Sequence, residues 1–248
     1  MFPFPSELIA EIGSHLESAT DFMNMRLVNK YVCNSLKPVL YRSIADNRTI
    51  FPRYESIAHF LSLLNSDSKH VLHKYVRSIT LVAEGLRQHE YGYGWAWEQL
   101  QDWENVSVTE NDMEIIDEIN NRHANELSFN ESYYNGGGYR TMLGHLLALL
   151  PNLRTITVRK LKVGEHVPGW NGSKLLQSLS FFYEGLNTNE IFYGDWNYDT
   201  VHKCVTCYTD EYGEEIVEPG AGPQASFIDD LKAAMEISET FAGIEFAV

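Results

Sequence analysis

The stretch "HKCVTC" gathers the residue types in this chain best suited to chemistry. His202, Cys204 and Cys207 offer imidazole and thiolate, the donors zinc prefers. A structural zinc site takes four ligands, and a single Cys-x-x-Cys supplies two of them. No second Cys-x-x-Cys exists, so the remainder would come from Cys33, His89, His123 or His166. A redox dithiol needs the N-terminus of a helix to stabilise its thiolate. Here "CVTCYTDEYGEEIVEPG" has the pattern of a β-hairpin with a glutamate-rich turn. A metal- or redox-dependent enzyme centred on His202, Cys204 and Cys207 is one reading of the chain, and a plain hairpin is the other.

Other candidate residues point to surfaces rather than to catalysis. Trp95, Trp97 and Trp103 lie in the Gly- and Tyr-rich "YGYGWAWEQLQDW", and Trp170, Tyr193 and Trp196 lie near further loops. Aromatic side chains on loops make binding anchors, so Trp95, Trp97, Trp103 and Trp196 are candidate contacts for a partner protein. The competing reading is a local hydrophobic plug. The acids Asp112, Glu114, Asp117 and Glu118 suit a solvated helix face. "NGGGYR" lacks the Gly-Lys-Ser/Thr ending of a phosphate-binding loop, and no Gly-x-Ser-x-Gly elbow is present. No catalytic residue is assigned, and no cofactor is expected.

The 248 residues are 44% hydrophobic and 12% aromatic, enough for a packed core and far from the disordered class. The net charge of -15 is unevenly spread. Residues 1–75 carry eight basic and seven acidic residues, and residues 76–248 carry eleven and twenty-seven. An acidic body repels phosphate backbones and anionic lipid, so neither nucleic acid nor membrane is an expected partner, whereas a basic protein would be attracted. Three cysteines, an odd and low number, argue against a disulfide framework. The N-terminus lacks the pattern of a signal peptide, and the most apolar window, "LGHLLALL", is too short to span a bilayer. The expectation is a soluble protein of the cytoplasm, the nucleus or both.

These residues must be positioned by two different kinds of chain. Over residues 1–45 the pattern is helical. Pro5 stands where a helix can begin, because a first-turn residue needs no N–H partner. Leu8, Ile9, Ile12 and Leu16 recur on one stripe, and Phe4 is placed to fold back on Leu8. Ser18 and Asp21 form a capping pair for a second helix that turns Phe22, Met25 and Leu27 or Val28 inward. A third helix starts near Asn29 with Val32 and Leu36 one turn apart. Pro38 should stop it, leaving "VLYRSI" extended. Three short helices bury little area alone, so the first stripe could continue onto another protein.

The strings "FPSELIAEIGSHL", "DFMNMRLVNK" and "LKPVLYRSI" together resemble an F-box, in the version found in filamentous fungi. Phe4 replaces the usual leucine before the proline, and Tyr31 or Cys33 stands where many members have tryptophan. The resemblance implies docking to the Skp-type adaptor of an SCF-type cullin–RING ubiquitin ligase. It assigns adaptor contact to Phe4, Pro5, Leu8, Ile9 and Ile12, with Val28 and Tyr31 following. It also leaves open an F-box protein that acts outside a ligase.

Residues 46–75 read as one helix, with Ile57, Phe60, Leu61 and Leu64 on its apolar side, and a linker. From residue 76 onward the pattern is helix–strand alternation, which favours a parallel α/β stack. Three segments share the spacing apolar-x-x-apolar-x-apolar: Val76/Ile79/Leu81, Leu153/Ile156/Val158 and Phe241/Ile244/Phe246. This is the pattern of a turn feeding a short strand, the unit of a leucine-rich repeat. A fourth strand is expected at "NEIFYGDW", after a helix over 173–186. Residues 84–138 read as an acidic insertion with a helix at 110–127. The expected architecture is therefore mixed α+β or α/β: a small three-helix F-box, then an irregular leucine-rich-repeat-like array over 76–248 that binds the target protein.

Overall fold

Pro5 caps α1 (Ser6–Ser14), and Glu7 lies in its first turn, where a negative charge suits the helix dipole. Ser18 caps α2 (Ala19–Leu27) by accepting the Asp21 N–H, and Asn29 caps α3 (Lys30–Ser35) by accepting the Val32 N–H at 2.9 Å. Ile9, Val32 and Leu36 form a small core, with Phe22 and Met25 packed on it. Gly13 permits this approach, since a Cβ there would meet Leu36 Cδ2 at 2.2 Å. The structure is a computed structural model. It describes residues 4–45, 48–66, 71–88, 92–98, 100, 103, 106–183, 185–194, 196–199, 204–208, 215–216 and 222–247.

Pro38 does not leave the chain extended. A fourth helix, α4 (Lys37–Ala45), follows at once, with Pro38 in its first turn, where the missing N–H costs nothing. Its Ala45, with Tyr41 and Ile44 alongside, reaches the main core and ties the N-terminal helices to the rest. Leu27 and Val28 also depart from expectation, since both face outward.

The segment after α4 contributes β1 (Arg48–Ile50), a strand too short to show an alternation in sequence. Next come α5 (Tyr54–Ser66), α6 (Leu72–Tyr75) and β2 (Ser78–Val82). Further on, α7 (Tyr93–Glu98), α8 (Glu110–Asn135) and α9 (Gly138–Ala148) lead to β3 (Thr155–Arg159). The chain between β3 and the last strand holds α10 (Ser173–Leu176), α11 (Asn189–Tyr193), β4 (Trp196–Asp199), β5 (Cys204–Tyr208), β6 (Glu215–Ile216) and α12 (Gly222–Ile237). It ends in β7 (Gly243–Ala247).

Strands β1, β2, β3 and β7 form one parallel sheet in that order. The three segments of shared spacing are neighbours in it and lie in register, with Ile79 opposite Ile156 and Ile156 opposite Ile244. Val76, Ile79, Leu81, Leu153, Ile156 and Val158 enter the main core with Ile57, Phe60 and Leu64 of α5, Leu143 and Leu146 of α9, and Phe227 and Leu231 of α12, while Ile244 and Phe246 pack half-buried against it and Phe241 stays outside. Each fully buried Leu, Ile or Phe contributes about 1.5–3 kcal/mol.

"NEIFYGDW" is not one strand. Residues 189–193 are helical, Gly194 has φ 83°, and the strand begins only at Trp196. That strand belongs to a second, antiparallel sheet, β4-β5-β6. Within the span 173–186 the α-helix is confined to α10, with turns beyond it.

The acidic stretch is also more than a surface insertion. Ile116, Ile119 and His123 of α8 are buried. With Val82, Trp97, Leu161, Trp170, Phe192 and Tyr193, the two isoleucines build a second core. Gly137 lets α8 reverse into α9 through a left-handed φ of 72°.

Candidate partner-binding surface

The N-terminal helices sort the apolar residues of α1 into two sets. Ile9 is 2% exposed, whereas its neighbours Leu8 and Ile12 are 51% and 49% exposed. The helical period places Ile9 and Gly13 one turn apart against α3, and Leu8 and Ile12 one turn apart beside them. Phe4 and Pro5 precede this outer stripe and are also exposed. Tyr31 donates its hydroxyl to the Phe4 carbonyl at 3.2 Å, which brings α3 against the start of α1. Val28, which follows α2 directly, is exposed, as are Met23 and Leu27. Of the residues that the F-box resemblance assigns to the adaptor, Phe4, Pro5, Leu8, Ile12, Val28 and Tyr31 are at the surface. Ile9 belongs instead to the core of this unit, because its stripe is the one that meets Val32 and Leu36.

Trp97 and Trp196 are placed otherwise than a surface role requires. Trp97 is buried, donates Nε1–H to Asn120 Oδ1 at 2.9 Å and packs edge-on against Phe192. Trp196 is buried as well, at the junction of the two sheets. Trp103 is half-buried, edge-on to Phe181. Trp95 lies in α7, but its side chain is outside the described residues. Large aromatic side chains that find a polar partner for the indole N–H are readily absorbed into a core, and that plug reading fits Trp97 and Trp196.

Of the buried carboxylates, Glu84 and Asp112 join distant segments and escape sequence reasoning. Glu84 lies two residues beyond the end of β2 and is buried. Its carboxylate accepts the Leu161 N–H, from the segment after β3, and the Trp196 indole N–H at 2.9 Å, from β4. Lys160 closes the arrangement by donating to the Trp196 carbonyl at 2.6 Å, with its ammonium 5.1 Å from the indole ring centre. Burial raises the Glu84 pKa, opposed by the two hydrogen bonds and the Lys160 charge. The only hint in sequence is an acid at the end of the apolar run "ITLVAE".

Asp112 is the second. It is not on a solvated helix face but buried. Its Oδ2 accepts the Thr109 N–H at 2.9 Å while Thr109 Oγ1 accepts the Asp112 N–H at 3.2 Å, a capping box for α8. The same carboxylate accepts the Ser180 N–H at 2.7 Å and the Ser180 hydroxyl at 2.6 Å. These bonds, those from Ser180 foremost, hold its pKa far below the ordinary value of 3.8. His166, packed 4.9 Å from Trp170, is pushed down to about 4 by burial and is neutral at pH 7.

His202 lies outside the described residues. Cys204 and Cys207 occupy β5, with backbones opposite Asp199 and Trp196, so this Cys-x-x-Cys is on a strand and not at a helix start. Among the described residues no three of His, Cys, Asp and Glu are grouped so as to hold a metal ion. Among them, too, no helix is long and apolar enough to cross a membrane. No protein-family model, curated protein or solved structure matches the chain.

Proposed function

We propose that this chain is the substrate receptor of an SCF-type cullin–RING ubiquitin ligase. In this reading residues 1–45 are an F-box, and Phe4, Pro5, Leu8, Ile12, Val28 and Tyr31 enter the helical surface of a Skp-type adaptor as apolar anchors. The parallel β1-β2-β3-β7 ladder with its helices is an irregular leucine-rich-repeat-like body that holds a target protein. Catalysis is by proximity: the target's lysine is kept near a ubiquitin thioester carried by another subunit. The chain itself needs no catalytic residue and no cofactor, and it works in the cytoplasm or nucleus.

The observation that supports this most is the split within α1. A unit whose own core, among the described residues, is Ile9, Val32 and Leu36, with flanking Phe22 and Met25, leaves Leu8 and Ile12 half-exposed beside Phe4. An apolar stripe of this kind stays in water only at a cost unless a partner covers it. The sequence strings that resemble an F-box fall on these same helices.

The test is co-purification of the full chain with a Skp-type adaptor and cullin. Leu8→Asp and Ile12→Asp should abolish capture of both while the chain remains folded by circular dichroism. Retention of the adaptor by the doubly substituted chain removes the proposal. Capture of the adaptor without the cullin shifts it to an F-box protein outside a ligase.

A further inference from the structure

The three segments of shared spacing differ in one respect. Val76 and Leu153, which begin the first two, are 0% and 9% exposed, whereas Phe241, which begins the third, is 98% exposed. The sheet order supplies the reason. β2 and β3 each have a hydrogen-bonded neighbour on both sides, and β7 has β3 on one side with no strand on the other among the described residues. Gly243 N–H donates to the Arg154 carbonyl at 2.8 Å, so residues in phase with Gly243 face β3. The N–H and C=O groups of Ile244 and Phe246 are therefore turned to the open edge. Ile237, at the end of α12, is a further exposed apolar residue just before this edge.

Charge identifies what fits there. Glu236, Glu239 and Glu245 are all exposed within the same short segment. Only Glu245 of the three lies on β7, but a second copy of the chain laid edge to edge would set two such acidic segments side by side, and like charges repel. The strand on the inner edge of β7, residues 152–160 ("NLRTITVRK"), carries Arg154, Arg159 and Lys160 and no acid, with Arg159 paired to Glu165 and Lys160 to the Trp196 carbonyl.

We propose that the open edge of β7 is a docking site for an extended, Lys/Arg-bearing polypeptide segment, which adds as a fifth strand and covers Phe241. Main-chain hydrogen bonds to Ile244 and Phe246 supply pairing, an apolar side chain over Phe241 sets register, and basic side chains meet the three glutamates. This inference does not rest on the ligase reading, since it involves none of residues 1–45.

The probe is a fluorescein-labelled peptide with the sequence of residues 152–160, titrated against the full chain and read by anisotropy. Saturable binding is expected. It should weaken by about tenfold or more with Phe241→Ser, with glutamate in place of the three peptide cations, or with proline in place of the peptide isoleucine. Phe241 lies outside the core, so its replacement leaves the fold in place, which circular dichroism checks. No saturable binding, or binding that Phe241→Ser leaves unchanged, overturns the proposal. A dimer in sedimentation that Phe241→Ser dissociates also overturns it, by assigning the edge to a second copy.

Discussion

Glu84 Oε1 accepts the indole N–H of Trp196 at 2.9 Å, so a residue two positions beyond β2 is held by the residue that opens β4. One buried acid thereby joins the parallel sheet to the antiparallel one.

Removing either partner leaves a buried polar group without its mate, which costs about 1–3 kcal/mol. Glu84→Gln should lower stability by that amount, because the amide NH2 must face one of two N–H donors. Trp196→Phe should do likewise. Urea denaturation of the two single variants and the double variant should show a coupling of about 0.5 kcal/mol or more. Additivity would mean that the bond contributes nothing.

Asp112 makes stability depend on acid in a stated direction. Its folded pKa lies below the unfolded one, so the native state binds fewer protons and the contribution is full above pH 3.8. It declines as pH falls from there through the folded value. Asp112→Ala should cost about 2–3 kcal/mol at pH 7 through the lost charge-assisted bonds to Ser180 and Thr109. The difference between wild type and variant should narrow below pH 3.8 in denaturation midpoints. An equal difference at both pH values would contradict this account.

Glu239 has φ 53° at the turn after α12, where Thr240 N–H donates to the Met235 carbonyl at 3.0 Å. A side chain in that left-handed conformation is strained, and glycine is not. Glu239→Gly should therefore stabilise the chain by about 0.5–1 kcal/mol, seen as a higher urea midpoint at an unchanged slope. A lower midpoint would show that the glutamate side chain contributes something the backbone does not reveal.

The two sides of α1 should separate stability from binding. Ile9→Ala removes a buried side chain and should cost about 2–4 kcal/mol. Leu8→Asp and Ile12→Asp alter half-exposed positions and should change stability by about 0.5 kcal/mol or less. Thermal melts check both. A large loss of stability with Leu8→Asp would mean that the outer stripe is already used within this chain.

How far the sequence went depends on the range of the interactions involved. Caps and periodic stripes are local, so Ser18, Asn29 and the Val32/Leu36 pair could be read from neighbouring residues alone. So could the spacing shared by the segments around Ile79, Ile156 and Ile244, because an extended chain alternates its faces every residue. Pro38 misled because proline forbids the interior of a helix but suits its first turn, and only the helix that follows tells the two apart. β1 escaped notice because a three-residue strand is defined by its neighbour β2 and not by its own pattern. Trp97, Trp196, Glu84 and Asp112 lay beyond sequence reasoning for a common reason. Whether an aromatic or an acid ends buried depends on donors and acceptors brought from distant positions, such as Asn120, Leu161 and Ser180, and chain order carries no record of that encounter. The exposure of Phe241 is of the same kind: its spacing matches that of Val76 and Leu153, and only the order of strands in the sheet left it uncovered.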